Sequence, residues 1–323
     1  MVRTIDFNVT PQNGLYVYNE LAIKVKNQSG NSFDCVIISR DGDINELSST
    51  TIEELKKLLG ASDAPIKHCK FDLIKMAISR KKSVYLYGAA GTGKNVLCKQ
   101  IADELGLTFY FTNTVTQEFK VSGYGDANGR FVETEFYRAF TKGGLFMLDE
   151  LDASCPEALV CLNAALANKY FDFPVIGRVE AHPDFRVIAA GNTCGRGASE
   201  LYSGRTVIDA ATLNRFEFIR VDYDRRIEDK IAKGDSELVN FFHDMRRASK
   251  KVGLAIVLSY RNLDSFIEFK SELPMTTVMD MCITKGMMSD EVRALYSGLE
   301  DKRNKYATEL RKLSELLELD EDE

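Results

Sequence analysis

One short run constrains this chain more than any other. Gly88-Ala89-Ala90-Gly91-Thr92-Gly93-Lys94 fits the spacing G-x-x-x-x-G-K. It follows a β-rich stretch at 83–87 and precedes residues 96–105, whose apolar spacing predicts a helix. A loop of this kind turns backbone N–H groups inward around phosphate oxygens, and the helix N-terminus adds a favourable dipole. Lys94 then reaches the β- and γ-phosphates. The plain alternative is a chance glycine-rich turn, and the strand before it and helix after it argue against that. Asn95 stands where a Ser or Thr hydroxyl usually ligates Mg2+. Its amide oxygen, a hard neutral ligand, either takes that role, directly or through water, or only caps the helix. Nucleotide binding is expected in both cases.

The surroundings of the loop set the fold class. Residues 66–224 alternate buried strands (107–112, 145–148, 185–190, 216–223) with amphipathic helices (133–140, 158–167). This alternation predicts an α/β core, a parallel sheet with helices on both faces. Residues 1–65 read as a small α+β module. Its strands are expected at 15–17, 21–25 and 35–39, and a turn at Asp41-Gly42-Asp43. A helix over 51–59 would be capped by Ser49 or Thr50 and ended by Gly60. Residues 225–323 read as a helical lid, with helices at 236–252, 260–272, 275–285 and 289–319. The last is expected to be capped by Ser289, to place Val292, Leu295, Leu299, Tyr306, Leu310, Leu313 and Leu317 on one face, and to end in a solvated acidic tail.

Composition removes several function classes. No apolar run reaches the roughly 18 residues of a membrane span, and residues 1–10 lack a signal core, so neither secretion nor membrane insertion is expected. Seven scattered cysteines without a C-x-x-C pair suit reduced thiols in the cytoplasm. Three distant histidines give a metal cluster little to build on. With 42 Lys+Arg against 48 Asp+Glu, the net charge of −6 counts against a protein that coats nucleic acid.

Two further strand ends carry polar groups. Gly144-Leu145-Phe146-Met147-Leu148 delivers Asp149 and Glu150 to the C-terminal edge of a buried strand, where open α/β sheets bind ligands. Asp149 suits Mg2+ held through water, and Glu150 suits orienting and polarising an attacking water. The strand at 186–191 ends in Asn192, placed to position that water or touch a γ-phosphate; a Gly-Asn turn is the alternative.

With these elements in this order, the chain resembles the AAA+ ATPases. It is most similar to the MoxR and dynein-related group, which includes the CbbQ/NorQ type of activators, of bacterial or phage type. The resemblance covers about 71–272. It rests on the glycine loop and on Asp149-Glu150-Leu151-Asp152-Ala153 with Pro156-Glu157 and Leu162-Asn163. It also rests on 182–193, on Leu213-Asn214-Arg215-Phe216 and on Leu258-Ser259-Tyr260-Arg261-Asn262-Leu263. It implies that ATP and Mg2+ bind at Gly88, Ala89, Ala90, Gly91, Thr92, Gly93, Lys94 and Asn95, with Asp149 and Asn95 toward the metal. Glu150 is then the catalytic carboxylate and Asn192 sensor 1. Arg215 matches the arginine finger that reaches an adjacent subunit's nucleotide, and Arg261 matches sensor 2 in the lid. A planar, always-charged guanidinium suits both tasks, and a surface salt bridge is the alternative for each. Arg205 is a further arginine of the same kind with less support.

Residues 121–132, with a tight turn over 126–129, match the hairpin inserted in helix 2 of the MoxR-like group, and 170–179 resembles its pre-sensor hairpin. Tyr124 and Phe131 then either contact a partner or bury the hairpin on itself. The resemblance implies a hexameric ATP hydrolase acting as a chaperone or activator on a protein partner, in that group one with a von Willebrand factor A-type domain. A nucleic-acid motor is a second reading, resting on Arg80-Lys81-Lys82 and on Arg246-Arg247 with Lys250-Lys251, runs that are usually solvated helix faces. A slow nucleotide-dependent switch is a third, kept open by Asn95.

Overall fold

The computed structural model describes residues 2–5, 10–18, 21–39, 44–58 and 66–321. Two compact units divide the chain, Met1–Ile66 and Lys67–Glu323. In the first, β1 (Val2–Thr4), β2 (Gly14–Tyr18), β3 (Leu21–Ser29), β4 (Ser32–Ile38) and β5 (Ile44–Thr51) form one sheet in chain order. Strand β1 runs parallel to β2, and the remaining pairs are antiparallel. Helix α1 (Ile52–Leu58) follows, and Ile23, Val25, Phe33, Cys35 and Leu55 form the core. Strand β5 is absent from the sequence-based expectation because Ile44–Thr51 is mostly polar and exposed; it pairs with β4 through the backbone ladder, and the Asp34 carboxylate also accepts the Ser49 N–H (2.9 Å). The expected turn at Asp41-Gly42-Asp43, the helix stop at Gly60 and the acidic end at Asp322-Glu323 lie outside the described residues.

The second unit opens with α2 (Phe71–Ser79), β6 (Val84–Tyr87), α3 (Lys94–Glu104) and β7 (Phe109–Thr112). There follow α4 (Phe119–Ser122), β8 (Tyr124–Gly125), β9 (Phe131–Val132), α5 (Glu135–Lys142), β10 (Gly144–Leu148) and α6 (Pro156–Asn168). Then come β11 (Tyr170–Phe173), β12 (Gly177–Glu180), β13 (Phe185–Gly191), α7 (Ala210–Leu213) and β14 (Glu217–Arg220). Five of these strands make a wholly parallel sheet in the order β14-β6-β13-β10-β7. The apolar run of β10 shows why both faces are covered. Leu145 and Met147 pack with α2 and α3 on one side, while Phe146 and Leu148 pack with α5 and α6 on the other. Each such fully buried side chain contributes roughly 1.5–3 kcal/mol, so the strand ends that carry polar groups are rigidly held. The hairpins β8–β9 and β11–β12 stand apart from this sheet.

The lid comprises α8 (Arg225–Ile231), α9 (Ser236–Val252), α10 (Tyr260–Phe269), α11 (Met275–Met279) with a π-helical turn at Asp280–Thr284, α12 (Ser289–Gly298) and α13 (Lys305–Glu321). Its own core holds Leu238, Phe242, Leu263, Phe266, Val292, Leu295 and Leu310. The helix expected over 289–319 is two helices, with Met288 rather than Ser289 at the N-cap. The break has a tertiary cause. Asp244 of α9 accepts backbone N–H groups from Glu300 (3.0 Å) and Asp301 (2.9 Å), and Asn304 donates to the Glu237 carbonyl (2.9 Å).

Candidate functional site

Three neighbouring strands, β6, β13 and β10, end side by side, and each delivers one expected group. From β6 the chain enters the glycine loop. Gly88 has φ +151°, and a Cβ there would collide with the Val221 carbonyl; Gly91 has φ +70°, and a Cβ would lie 2.5 Å from Ser259 Cβ. Only glycine meets both conditions, left-handed backbone and close approach. The loop then turns into α3, whose first residue is Lys94.

Lys94 is buried, and its ammonium donates to the carbonyls of Gly88 (2.8 Å) and Ala89 (3.0 Å) and to Asn192 Oδ1 (3.2 Å). Lys94 and Asn192 therefore meet directly. Asn95 Nδ2 donates to Asp149 Oδ2 at 2.7 Å, so these two side chains also meet. The amide is oriented by its partner, since an ionised carboxylate can only accept and Nδ2 is the amide's donating end. Asp149 thus presents carboxylate oxygens beside a loop built for phosphate, with the Asn95 amide next to it; a hard carboxylate, and an amide oxygen were Asn95 to turn over, fit Mg2+.

Glu150 follows with φ +51°, a left-handed conformation rare outside glycine. Thr114 Oγ1 donates to its Oε2 at 3.0 Å, and Arg205 Nη2 lies 3.6 Å from its Oε1. Arg205 Nε is also 3.7 Å from Asp152 Oδ2. Arg205 thus stands between two carboxylates of its own chain.

Arg261 lies exposed in the first turn of α10 and lines a cavity of about 270 Å³ with Ala90, Gly91, Ser259 and Lys285. The lid meets the loop through Tyr260 N–H and the Gly91 carbonyl, 3.4 Å apart. Arg215 is not gathered into this cluster. Its Nε donates to Asn163 Oδ1 of α6 (2.9 Å), and Asn163 in turn donates to Thr212 (2.9 Å).

Some contacts were not legible in the sequence. Tyr202 Oη accepts the Ala90 N–H (2.9 Å), and Tyr223 Oη donates to the Ala90 carbonyl (2.9 Å), so two distant tyrosines clasp the middle of the loop. Thr114 and Asp152 gain their roles in the same way, from tertiary placement.

Burial lowers the Lys94 ammonium from its ordinary 10.5 to about 8, with Asp149 opposing that shift. Below about pH 8 the lysine is charged in both folded and unfolded chains, and its desolvation cost is fully present. Between about pH 8 and 10.5 the unfolded chain binds the extra proton, so the nucleotide-free protein gains stability from this group as pH rises. Nucleotide affinity is expected to run the other way, falling as pH rises through about 8 and the lysine loses the charge that attracts phosphate. Titration of a fluorescent ATP analogue across this range checks it; an affinity that stays flat would show that Lys94 does not carry the interaction.

Known proteins provide context. An uncharacterized protein of Staphylococcus aureus (strain USA300) is 26% identical over 265 residues, covering 73% of this chain and 98% of its own. An uncharacterized protein of Staphylococcus aureus (strain NCTC 8325 / PS 47) is 25% identical over the same shares. Among solved structures, NtrX from Brucella abortus aligns at a TM-score of 0.45 and 16% identity, covering 82% of this chain and 71% of that one. Its complex with ADP aligns at 0.46 and 16% identity, covering 84% and 69%. Residues 83–216, which include the glycine loop, Asp149, Glu150 and Asn192, match the family model described as AAA domain (dynein-related subfamily), and this match supports an AAA+ ATPase core.

Proposed function

We propose that the chain is a ring-forming, cytoplasmic ATPase of the MoxR-like type that hydrolyses ATP to remodel or activate a protein partner. The observation that carries this reading is the convergence of Lys94, Asn192, Asn95 and Asp149 through direct hydrogen bonds at adjacent strand ends. Lys94 and the loop N–H groups bind the phosphates. Asp149 and Asn95 would hold the Mg2+ ion, whose charge neutralises phosphate oxygens during transfer. Glu150 orients and polarises the water, and Asn192 holds the lysine and the γ-phosphate in register. Arg261 approaches from the lid, beside Gly91. Arg215, turned to Asn163, serves the nucleotide of a neighbouring subunit in a hexamer.

The hairpins support a protein partner. Val175, at the tip of β11–β12, abuts Gly125 of β8, and Val175, Ile176, Tyr124 and Phe119 are all exposed there. Phe131 follows the second of its two expected roles: its ring packs on Tyr137 (4.8 Å) and Phe173 (6.2 Å), so it anchors the hairpin. Tyr124 keeps the partner-facing role, and a von Willebrand factor A-type domain is the partner class we propose. Among the described residues no helix is long and apolar enough to cross a membrane.

The test is steady-state ATP turnover measured against protein concentration, with and without duplex DNA. Turnover per chain should rise with concentration, as a finger supplied by a neighbour requires, and should ignore DNA. A constant turnover per chain would sink the ring. A salt-sensitive stimulation by DNA would instead favour a nucleic-acid motor.

A further inference from the structure

We propose that Asp152 and Arg205 form a buried positioning pair for hydrolysis, Asp152 fixing the backbone that carries Asn192 and Arg205 holding the Glu150 carboxylate. The inference rests on the ATPase reading above.

Asp152 sits in the short 3-10 turn Leu151–Ala153, two residues beyond Glu150, and is fully buried. One carboxylate oxygen, Oδ2, accepts three hydrogen bonds: from Asn192 N (3.0 Å), Thr193 N (2.7 Å) and Thr193 Oγ1 (2.8 Å). Tyr85 Oη donates to the Thr193 carbonyl (2.8 Å), so the end of β13 is tied from two sides. Asn192 could not shift without breaking the first of these bonds. Its side chain is the one that receives the Lys94 ammonium.

Arg205 is only 12% exposed and lies between the two carboxylates, 3.6 Å from Glu150 and 3.7 Å from Asp152. Its backbone is fixed by the next residue. Thr206 N donates to the Asp152 carbonyl (2.7 Å), and Thr206 Oγ1 donates to the carbonyls of Asp152 (3.2 Å) and Ser154 (3.0 Å). Both distances from the guanidinium exceed a hydrogen bond, so it balances two charges rather than saturating one. Asp152 Oδ1 moreover has no hydrogen-bond partner among the described residues. A buried carboxylate with one oxygen left without a hydrogen bond carries a desolvation cost, even though its other oxygen satisfies three donors. It makes sense as a device for placement: one arginine sets the distance between the Glu150 carboxylate and the turn that fixes Asn192.

Arg205→Gln, Asp152→Asn and the double variant test this, with ATP turnover and binding of a fluorescent ATP analogue measured on each. Either single change should lower kcat by about 10²-fold, the scale of a misplaced catalytic group, with analogue Kd changed by no more than about twofold. The double variant should be no slower than the slower single, because the two act as one unit. Arg205→Lys should recover part of the loss, keeping the charge without the planar fork. Should Asp152→Asn yield no folded protein, the two Arg205 variants decide on the same readouts. Near-normal kcat in Arg205→Gln overturns the pair, as does loss of kcat in step with binding and melting temperature. An inactive wild type overturns the ATPase reading and this one together; an active wild type with active variants overturns this one alone.

Discussion

Arg215→Ala is expected to lower ATP turnover by about 10³-fold or more, the range in which an arginine finger acts, while nucleotide affinity stays near that of the wild type. The reason lies in where the residue stands. Lys94 pairs with Asn192 and Asn95 with Asp149 within one chain, whereas Arg215 is held by Asn163 of α6 and takes part in neither pair. Asn163 is itself fixed by Thr212, which presents the guanidinium from a rigid support. On the proposed ring, a charge so placed is expected to serve the γ-phosphate of a neighbour and not phosphate binding in its own chain. Arg215→Lys should recover little, because an ammonium lacks the fork that spans two phosphate oxygens. Mixing the alanine variant into wild-type protein should lower turnover per wild-type chain, since some wild-type sites then lack a finger. If Arg215→Ala hydrolyses ATP like the wild type, the assembly-dependent part of the mechanism is wrong, and Arg215 is a support for α6.

What could be read from the sequence follows a physical boundary. The sheet was legible because β10 and β13 are buried on both faces, and such strands are written as continuous apolar runs. The glycine loop was legible because its backbone demands specific residue types at fixed spacing. Contacts made across long sequence separations were not. Tyr202 and Ala90 are 112 positions apart, and Arg205 meets Asp152 only because a loop returns to the strand ends. The C-terminal helices teach a related point. Val292, Leu295, Leu299, Tyr306, Leu310 and Leu313 are all buried, as their spacing predicts, yet the helix is interrupted between them. Periodicity reports which residues face the core; continuity of the helix was decided by Asp244, on another helix.

Glu150→Gln is the second large effect, an expected fall in turnover of about 10²- to 10⁴-fold, the usual contribution of a positioned general base. The amide is nearly isosteric with the carboxylate and can still accept the Thr114 hydroxyl, so the local geometry should persist. The left-handed backbone at Glu150 is likewise indifferent to the exchange. What disappears is the charge, and with it both the polarisation of water and the attraction to Arg205. ATP affinity should be preserved, because the proposed mechanism gives binding to Lys94 and the loop N–H groups, so an ATP-loaded protein should accumulate and, on the same proposal, retain a protein partner. Mg2+ titration separates this role from that of the adjacent carboxylate. Asp149→Asn should raise the Mg2+ concentration needed for nucleotide binding, since Asp149 is the group paired with Asn95 at the proposed metal position. Glu150→Gln should leave that requirement unchanged. Near-normal turnover in Glu150→Gln would remove the residue from the chemistry, and a raised Mg2+ requirement in that variant would mean that the two carboxylates hold the metal jointly.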